Sequence, residues 1–255
     1  MNQTNLIFDH DEEIYNTRSA EIVIPILLQY VKPISVLDVG CGLGTWLKIF
    51  NDLGITDYYG LESHHIDTSK IKIPKENLFL CDLNLPVNLN KQYDLVVSLE
   101  VAEHLSENAA DSFIETLTNH GKIILFSAAI PNQGGQNHIN EQWPKYWQDK
   151  FKKFSFDYYD VIRPHIWSNS DVDVWYRQNI YLVVHKSISF NHPTFNYSNI
   201  VHPDLWTIKM KELSHLENHY NRLVNKIHGI NNGRSGVFIY FKLFLKSLKN
   251  KIRKI

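Results

Sequence analysis

The chain has 255 residues, a formal net charge of −1 and 44% hydrophobic residues, which is enough apolar material for one catalytic domain with a core. Two cysteines in a chain of this length exclude a disulfide scaffold and favour a reducing compartment. The polar, acidic first 13 residues show no signal-peptide pattern, and no apolar run reaches the ~18 residues of a membrane span. We therefore predict a cytoplasmic protein.

The predicted elements alternate between helices and short apolar strands. A helix over 11–30 leads to a first strand that begins at Ser35. Further helices are predicted over 45–53, near 66–71, and over 106–118 and 143–154. Further strands are predicted over 57–62, 78–81, 93–99, 121–130, 158–163 and 179–185. This alternation is typical of an α/β fold with a mostly parallel sheet.

A glycine-rich turn follows the first strand. Glycines 40, 42 and 44 occupy every second position between the apolar strand and the next helix. Without Cβ atoms, these residues allow a tight turn and a close approach of the main chain to a ligand. A strand, a glycine turn and a helix N-terminus in this order predict a nucleotide-type site.

Acidic residues end the next three predicted strands. Glu62 ends the second strand, Asp82 follows the third, and Glu100 follows the fourth. A carboxylate at the end of the second strand can accept hydrogen bonds from two ribose hydroxyls, and Asp82 could accept one from a purine amino group. Open α/β sheets bind ligands at the carboxyl ends of their strands, so these residues predict one site.

The segments VLDVGCGLG, CDL and YDLVVSLEVAEHL, together with Glu62, resemble the class I S-adenosylmethionine-dependent methyltransferases over about residues 15 to 186. The resemblance implies a Rossmann-like, seven-stranded, mostly parallel sheet with one antiparallel strand and helices on both faces. It also implies S-adenosylmethionine as cofactor and S-adenosylhomocysteine as product.

The cofactor-binding residues follow from the same resemblance. Methionine and ribose would lie over Gly40 to Gly44, with Asp38 shaping the turn near the methionine amino group. Glu62 would hold the ribose, and Asp82 with Leu83 would hold the adenine. The predicted set is Asp38, Gly40, Cys41, Gly42, Gly44, Trp46, Glu62, Asp82, Leu83 and Leu99.

A second cluster follows the fourth strand. Glu100, Glu103 and His104 lie within five residues, and His138 lies in the loop after the fifth strand. Carboxylate oxygens and imidazole nitrogens are ligands for a divalent cation such as Mg²⁺ or Mn²⁺. The spacing resembles the Glu-x-x-Glu-His motif of a metal-dependent branch of the class I enzymes. That branch includes small-RNA 3′-terminal 2′-O-methyltransferases and ubiquinone-pathway O-methyltransferases.

Two roles remain open for the histidines of this cluster. His104 or His138 is either a metal ligand or the base that removes a proton from the acceptor hydroxyl, with Glu103 as a further catalytic candidate. In the alternative interpretation no metal is bound, and His138 is an ordinary loop histidine.

Polar and aromatic residues further along the chain are candidates for substrate contacts. Arginines beside aromatic faces can bind a sugar, a base or a phosphate. The alternative is that the aromatic residues fill the core and the arginines pair with acidic groups. The predicted substrate residues are Gln133, Glu141, Trp143, Arg163, His165 and Arg177.

The C-terminal part differs in composition. We predict a methyltransferase domain over 1–186, a linker or wrapping loop over 187–204 and a basic, amphipathic helical tail over 205–255. Residues 208 to 255 contain 11 Lys and Arg against 2 Asp and Glu. A basic amphipathic segment at 237–255 favours peripheral contact with an anionic membrane at the inner face, or packing on the domain or a second subunit. Nucleic-acid binding is the weaker alternative.

The resulting hypothesis is metal-assisted O-methylation of a small activated molecule. A nucleotide-linked sugar or a capsule or surface-polysaccharide precursor, including phosphoramidate and heptose types, is the preferred acceptor. RNA ribose 2′-O-methylation is the alternative reaction. A non-catalytic scaffold that binds the cofactor is the alternative from another class of function.

Overall fold

The computed structural model describes residues 16–195, 199–232 and 234–252. The first helix, α1 (Arg18–Tyr30), leads to β1 (Ser35–Val39) and α2 (Thr45–Asp52). The start of the predicted helix over 11–30 lies outside the described residues. The next strands are β2 (Asp57–Glu62), β3 (Leu78–Leu80) and β4 (Leu95–Leu99), and α3 (Ala110–His120) precedes β5 (Ile123–Ser127).

The second half of the sheet is completed by α4 (Pro144–Lys153), β6 (Phe156–Tyr159), α5 (Arg163–Ile166), α6 (Val174–Asn179) and β7 (Tyr181–His185). Two long helices follow, α7 (Pro203–Asn231) and α8 (Val237–Ile252). None of the helices in the described ranges is long and apolar enough to cross a membrane.

Seven strands form one sheet in the order β3-β2-β1-β4-β5-β7-β6. β7 runs antiparallel to both of its neighbours, and the other pairs are parallel, which confirms the predicted sheet. The chain order reverses between β1 and β4, which are neighbours in the sheet. The carboxyl ends of strands at such a switch point border the crevice in which α/β proteins bind ligands.

Helices cover both faces of the sheet. On one face, apolar residues of α1 and α2 pack with alternate strand residues such as Val36 and Val97. On the other face, α3 and α4 pack against residues such as Leu37 and Val96. Because neighbouring residues of a buried parallel strand point to opposite faces, both faces require apolar side chains, and β1 is buried along its length.

The helix predicted near 66–71 is wrong, and the strand predicted over 158–163 lies instead at Phe156–Tyr159, because Arg163 begins α5. The segment 66–71 forms turns, and a short 3₁₀ helix at Lys75–Asn77 is the helical element before β3. The Asp67 carboxylate accepts hydrogen bonds from the main-chain N–H and the hydroxyl of Ser69, which stabilises a turn in place of a helix.

The chain divides into two compact units, one that ends at Leu205 and one that begins at Trp206. Much of the segment between β7 and α7 lies on the first unit. The main-chain N–H of Phe195 donates to the Tyr158 carbonyl, and the His202 side chain bonds the Trp167 carbonyl. The first unit therefore contains all of the predicted site residues.

Candidate active site

The glycine turn after β1 has a conformation that requires glycine. Gly40 has φ +82°, and a Cβ atom built on it would lie 2.4 Å from Cγ2 of Val101. Gly44, with φ +76°, directly precedes α2, and a Cβ atom there would lie 3.0 Å from Ile73. Both positions combine a left-handed backbone with a close neighbour. Glycine is therefore required at each of them by the backbone conformation and by the lack of space for a Cβ atom.

The carboxylate of Glu62 fixes this turn to the end of β2. One oxygen accepts the main-chain N–H of Gly42 at 2.7 Å, and the other accepts that of Ser63 at 2.6 Å. Burial, and secondarily the charge of Glu62, raises the pKa of the Asp38 carboxyl well above its usual range. The carboxyl groups of Asp38 and Glu62 therefore lie close enough to interact near the turn. A neutral or cationic group beside them is favoured over an anionic one.

The remaining predicted cofactor residues lie around the same edge of the sheet. Asp82 is exposed and accepts the N–H of Asn84 at 2.9 Å, and Leu83 is buried.

The thiol of Cys41 is buried and free, and a Cβ atom on Gly60 would lie 2.7 Å from its sulfur. Trp46 contacts the ring of Tyr176 edge-on with 5.2 Å between centroids. Leu99 ends β4 and is half-buried.

Glu100 begins the turn that follows β4. It has φ +54°, and its N–H lies within hydrogen-bonding distance of the carbonyl and the hydroxyl oxygen of Ser127 at the end of β5. Its carboxylate accepts hydrogen bonds from Gln133 at 2.9 Å and from Asn179 at 3.1 Å. Burial raises the pKa of Glu100, and these hydrogen bonds act in the opposite direction. The two amides therefore hold this carboxylate at the sheet edge.

Three of the four predicted metal ligands come together. One possible ligand atom from each of Glu103, His104 and His138 lies within 4.8 Å of the others. The two imidazole rings are 4.7 Å apart between centroids and nearly perpendicular. We call these three residues the Glu-His-His cluster. Glu100, the fourth predicted ligand, lies beside Glu103 but has its carboxylate on the two amides.

Glu103 is fully buried, with the main-chain N–H groups of Glu103 and Ala129 and the Glu100 carboxyl near its carboxylate. Neither of its carboxylate oxygens has a donor with normal hydrogen-bond geometry among the residues that the structure describes. Burial, followed by the charge of Glu100, raises the pKa of Glu103 well above its usual range. A buried carboxylate in this environment favours either a proton or a cation.

The environment of His104 favours its neutral form. Burial and the neighbouring His138 lower the pKa of His104 to about 4, and main-chain groups of Asn137 and Gln136 act in the opposite direction. A neutral imidazole is the form that binds a metal ion. A pKa this far below neutrality also makes His104 a weak general base.

Glu141 organises the loop that carries His138. One oxygen of Glu141 lies 2.9 Å from Nδ1 of His138 and accepts the N–H of Gly134, and the other accepts the N–H of Asn132. The N–H groups of Ile139 and Asn140 donate to the Glu103 carbonyl. A carboxylate on Nδ1 leaves Nε2 of the imidazole for a ligand, as in the carboxylate–histidine pairs around protein metal sites.

A family model described as a methyltransferase domain matches residues 13–167. The chain belongs to the methyltransferase-domain family. The family and the fold confirm the prediction of a class I S-adenosylmethionine-dependent methyltransferase. No curated protein matches the sequence of this methyltransferase.

Solved structures share the methyltransferase fold at low sequence identity. DesVI from Streptomyces venezuelae is 13% identical with a TM-score of 0.52, and the match covers 70% of this chain and 100% of that chain. Magnesium protoporphyrin IX methyltransferase (ChlM) from Synechocystis PCC 6803 with bound S-adenosylhomocysteine is 17% identical with a TM-score of 0.51, covering 67% and 83% of the two chains. At these identities the likeness shows the fold alone.

The predicted substrate residues of the methyltransferase separate into two groups. Gln133 donates to Glu100, and Glu141 lies against His138 of the cluster, as described above. Trp143 packs against a small apolar group that includes Ile130 and Leu205. For these residues, contact with a substrate stays a prediction.

The other predicted substrate residues have partners within the fold. The Arg163 guanidinium is buried, donates to Asp160 at 2.8 Å and to the Gln178 carbonyl at 2.9 Å, and lies over the Tyr181 ring. Arg177 donates to Asp204 at 2.7 Å, and His165 bonds the Tyr30 hydroxyl at 2.8 Å. These contacts agree with the alternative interpretation, in which arginines pair with acidic groups.

Asn179 is a site residue that the sequence analysis missed. It is buried at the end of α6, two residues before the start of the antiparallel strand β7, and donates to Glu100 and Gln133. Its place depends on the position of β7 beside β5, which brings residues distant in sequence to the same edge. An amide that ends a helix carries no local signal of this role.

Proposed function

We propose that this methyltransferase transfers a methyl group to an oxygen atom of a small acceptor with the help of a divalent cation held by the Glu-His-His cluster. The observation that carries the proposal is the convergence of three ligand atoms within 4.8 Å around a buried carboxylate, neither oxygen of which has a donor with normal hydrogen-bond geometry in the described part of the chain. Burying a charged group without a partner is costly, and a bound cation removes this cost.

The composition of the cluster favours a particular class of cation. One carboxylate and two imidazoles form a mixed oxygen and nitrogen set. Oxygen ligands suit Mg²⁺ and Mn²⁺, whereas imidazoles suit ions later in the first transition series. Mn²⁺ shares the preference for oxygen and, as a transition-metal ion, accepts imidazole more readily than Mg²⁺ does, so we expect it to bind more tightly than Mg²⁺. Such a cation would orient an acceptor hydroxyl and lower its pKa.

The glycine turn supports cofactor binding at the same edge of the sheet. S-adenosylmethionine supplies an electrophilic methyl group when it is bound. The Glu62 carboxylate accepts two main-chain N–H groups and keeps lone pairs for ribose hydroxyls, because a carboxylate offers about four acceptor sites. In this proposal Asp82 and Leu83 contact the adenine. The neighbouring strands β1 and β4 lead into the glycine turn and the cluster, which supports one site for both.

The low pKa of His104 favours a ligand role over a base role. A base works best when its pKa is near the working pH, and His104 has a pKa of about 4. The chain would then act mainly by positioning the acceptor oxygen in line with the methyl group, and positioning of this kind can supply ~7–11 kcal/mol.

The acceptor class follows from the same chemistry. A cation site favours an acceptor with vicinal hydroxyls or a phosphate, because both present hard oxygen ligands. A nucleotide-linked sugar or a surface-polysaccharide precursor, including phosphoramidate and heptose types, fits this requirement. The basic segment from Phe241 onward supports an acceptor that is assembled at an anionic membrane surface.

The proposal is tested by calorimetry on the purified, chelator-treated protein. We expect Mn²⁺ to bind at one site, S-adenosylmethionine to bind with or without Mn²⁺, and Mn²⁺ binding to be lost in Glu103→Gln. Glu115→Gln, at an exposed position of α3, is the matched control and should bind Mn²⁺ normally.

The outcomes separate the two parts of the proposal. Cofactor binding without any Mn²⁺ binding would reject the cation and leave a histidine base. Methyl transfer to RNA in place of nucleotide sugars, with a steep salt dependence, would reject the small acceptor.

A further inference from the structure

A heptad pattern runs along the exposed surface of α7. Leu213, Leu216, Tyr220, Leu223, Ile227 and Ile230 are separated by alternating steps of three and four residues. A repeat that averages 3.5 residues places all six on one side of the helix, as positions a and d of a coiled coil. Trp206 and Lys209 extend the same pattern by one heptad. We call these eight positions the heptad stripe.

Most of the stripe faces solvent in the single chain. The exposed fraction is 64% for Leu216 and 67% for Tyr220, and Leu213, Leu223 and Ile227 are about half exposed. The six apolar residues over 213–230 span about 27 Å of this 29-residue helix. Monomeric proteins rarely leave such patches uncovered, which favours a partner on this face. Tertiary packing of an apolar face, more than intrinsic propensity, stabilises most helices.

We propose that the heptad stripe of α7 pairs antiparallel with the same stripe of a second copy of this chain. The occupant and its direction follow from the charges beside the stripe. In an antiparallel pair with full overlap, Glu212 faces Lys226 of the second copy, and this contact occurs twice. The same arrangement places Lys209 opposite Ile227, where its methylene stem packs while its ammonium group donates to Glu212 of its own helix at 2.7 Å, as in the single chain. Glu212 then lies between Lys209 of its own helix and Lys226 of the second copy.

A parallel pair would bring like charges together. In that arrangement Glu212 faces Glu217 of the second copy on both sides, and Lys209 faces its own copy within the seam. Like-charge contacts disfavour a pairing mode, and this is how flanking charges select orientation in coiled coils. The antiparallel pair keeps one like-charge contact, between the two copies of Glu217 at its centre.

Sedimentation of the full chain tests the surface. We expect a dimer whose dissociation constant rises at least about 100-fold in Leu216→Lys and in Leu223→Lys, because each change removes two buried leucines per dimer. Ile208→Lys is the matched control: Ile208 is an exposed apolar residue of α7 that lies off the stripe. Its dissociation constant should change less than about 3-fold. Circular dichroism and cofactor binding verify that every variant is folded.

Charge reversal tests the direction. Glu212→Lys and Lys226→Glu should each weaken the antiparallel dimer, and the double variant should restore it. In a parallel dimer, Glu212→Lys would instead strengthen association by relieving the Glu212–Glu217 contact. A wild-type chain that stays monomeric, or a dimer that is lost in Phe244→Lys of α8 and kept in Leu216→Lys, would overturn the proposal.

Discussion

Nδ1 of His138 lies 2.9 Å from a carboxylate oxygen of Glu141, three residues further along the chain. The same carboxylate accepts the N–H groups of Asn132 and Gly134, so it fixes both the loop and the imidazole. A carboxylate on Nδ1 selects the tautomer with its proton on that nitrogen. Glu141 is therefore a positioning residue for His138, which contributes to the Glu-His-His cluster.

Replacement of Glu141 should affect metal binding more than cofactor binding. We expect Glu141→Gln to weaken Mn²⁺ binding by about 10–100-fold, the usual effect of removing a hydrogen-bond partner of a ligating histidine. Affinity for S-adenosylmethionine should be unchanged. Calorimetry measures both constants, and Glu115→Gln serves as the control. Equal losses of both affinities would indicate that the loop collapses, contrary to a positioning role.

Glu103→Gln should stabilise the metal-free protein at neutral pH. The pKa of Glu103 is raised in the folded state, so the folded chain binds its proton more tightly than the unfolded chain does. The stability of the wild type therefore falls as pH rises above the unfolded pKa of about 4.3. Since glutamine does not titrate, the difference in Tm between variant and wild type should be near zero at acidic pH and grow towards pH 8. Thermal melts in chelator test this trend, and a difference independent of pH would contradict it.

Gly40→Ala should abolish cofactor binding and destabilise the fold. The added Cβ meets Val101 at 2.4 Å in a backbone with φ +82°. Gly54→Ala is a matched control, because Gly54 has φ +90° and nothing within 4 Å of the added atom. The control carries only the left-handed strain, about 1–2 kcal/mol. Chemical denaturation should show a larger loss of unfolding free energy for Gly40→Ala than for Gly54→Ala. Adding Val101→Ala to the Gly40→Ala variant should recover part of that free energy.

Arg163→Met should reduce stability and leave acceptor affinity unchanged. Its guanidinium is buried on Asp160, so removing it leaves a carboxylate without its cation, at a cost of about 3 kcal/mol. Denaturation curves measure this loss, and KM for the acceptor reports any role in binding. The double variant Arg163→Met/Asp160→Asn should recover stability. A raised KM in a stable protein would instead support the substrate role predicted from the sequence.

The parts of the site that could be predicted are the ones encoded locally. The sequence signal for the turn is continuous, because five buried strand residues lead directly into Gly40. Glu62 ends the apolar strand β2, and Glu100 directly follows β4. The helix predicted near 66–71 is wrong because the Asp67 side chain accepts hydrogen bonds from Ser69 and stabilises a turn there. Asn179 escaped prediction because only the pairing of β5 with β7 brings it to Glu100.

The contact between Gly60 and Cys41 bears on how this chain can evolve. Any side chain at position 60 would enter the space of the Cys41 sulfur, 2.7 Å from the missing Cβ atom. Residue 60 in β2 and residue 41 in the turn after β1 therefore compete for the same space. Among descendants of this sequence, alanine at position 60 should become acceptable only after a smaller residue has replaced Cys41, so the order of the two substitutions is constrained.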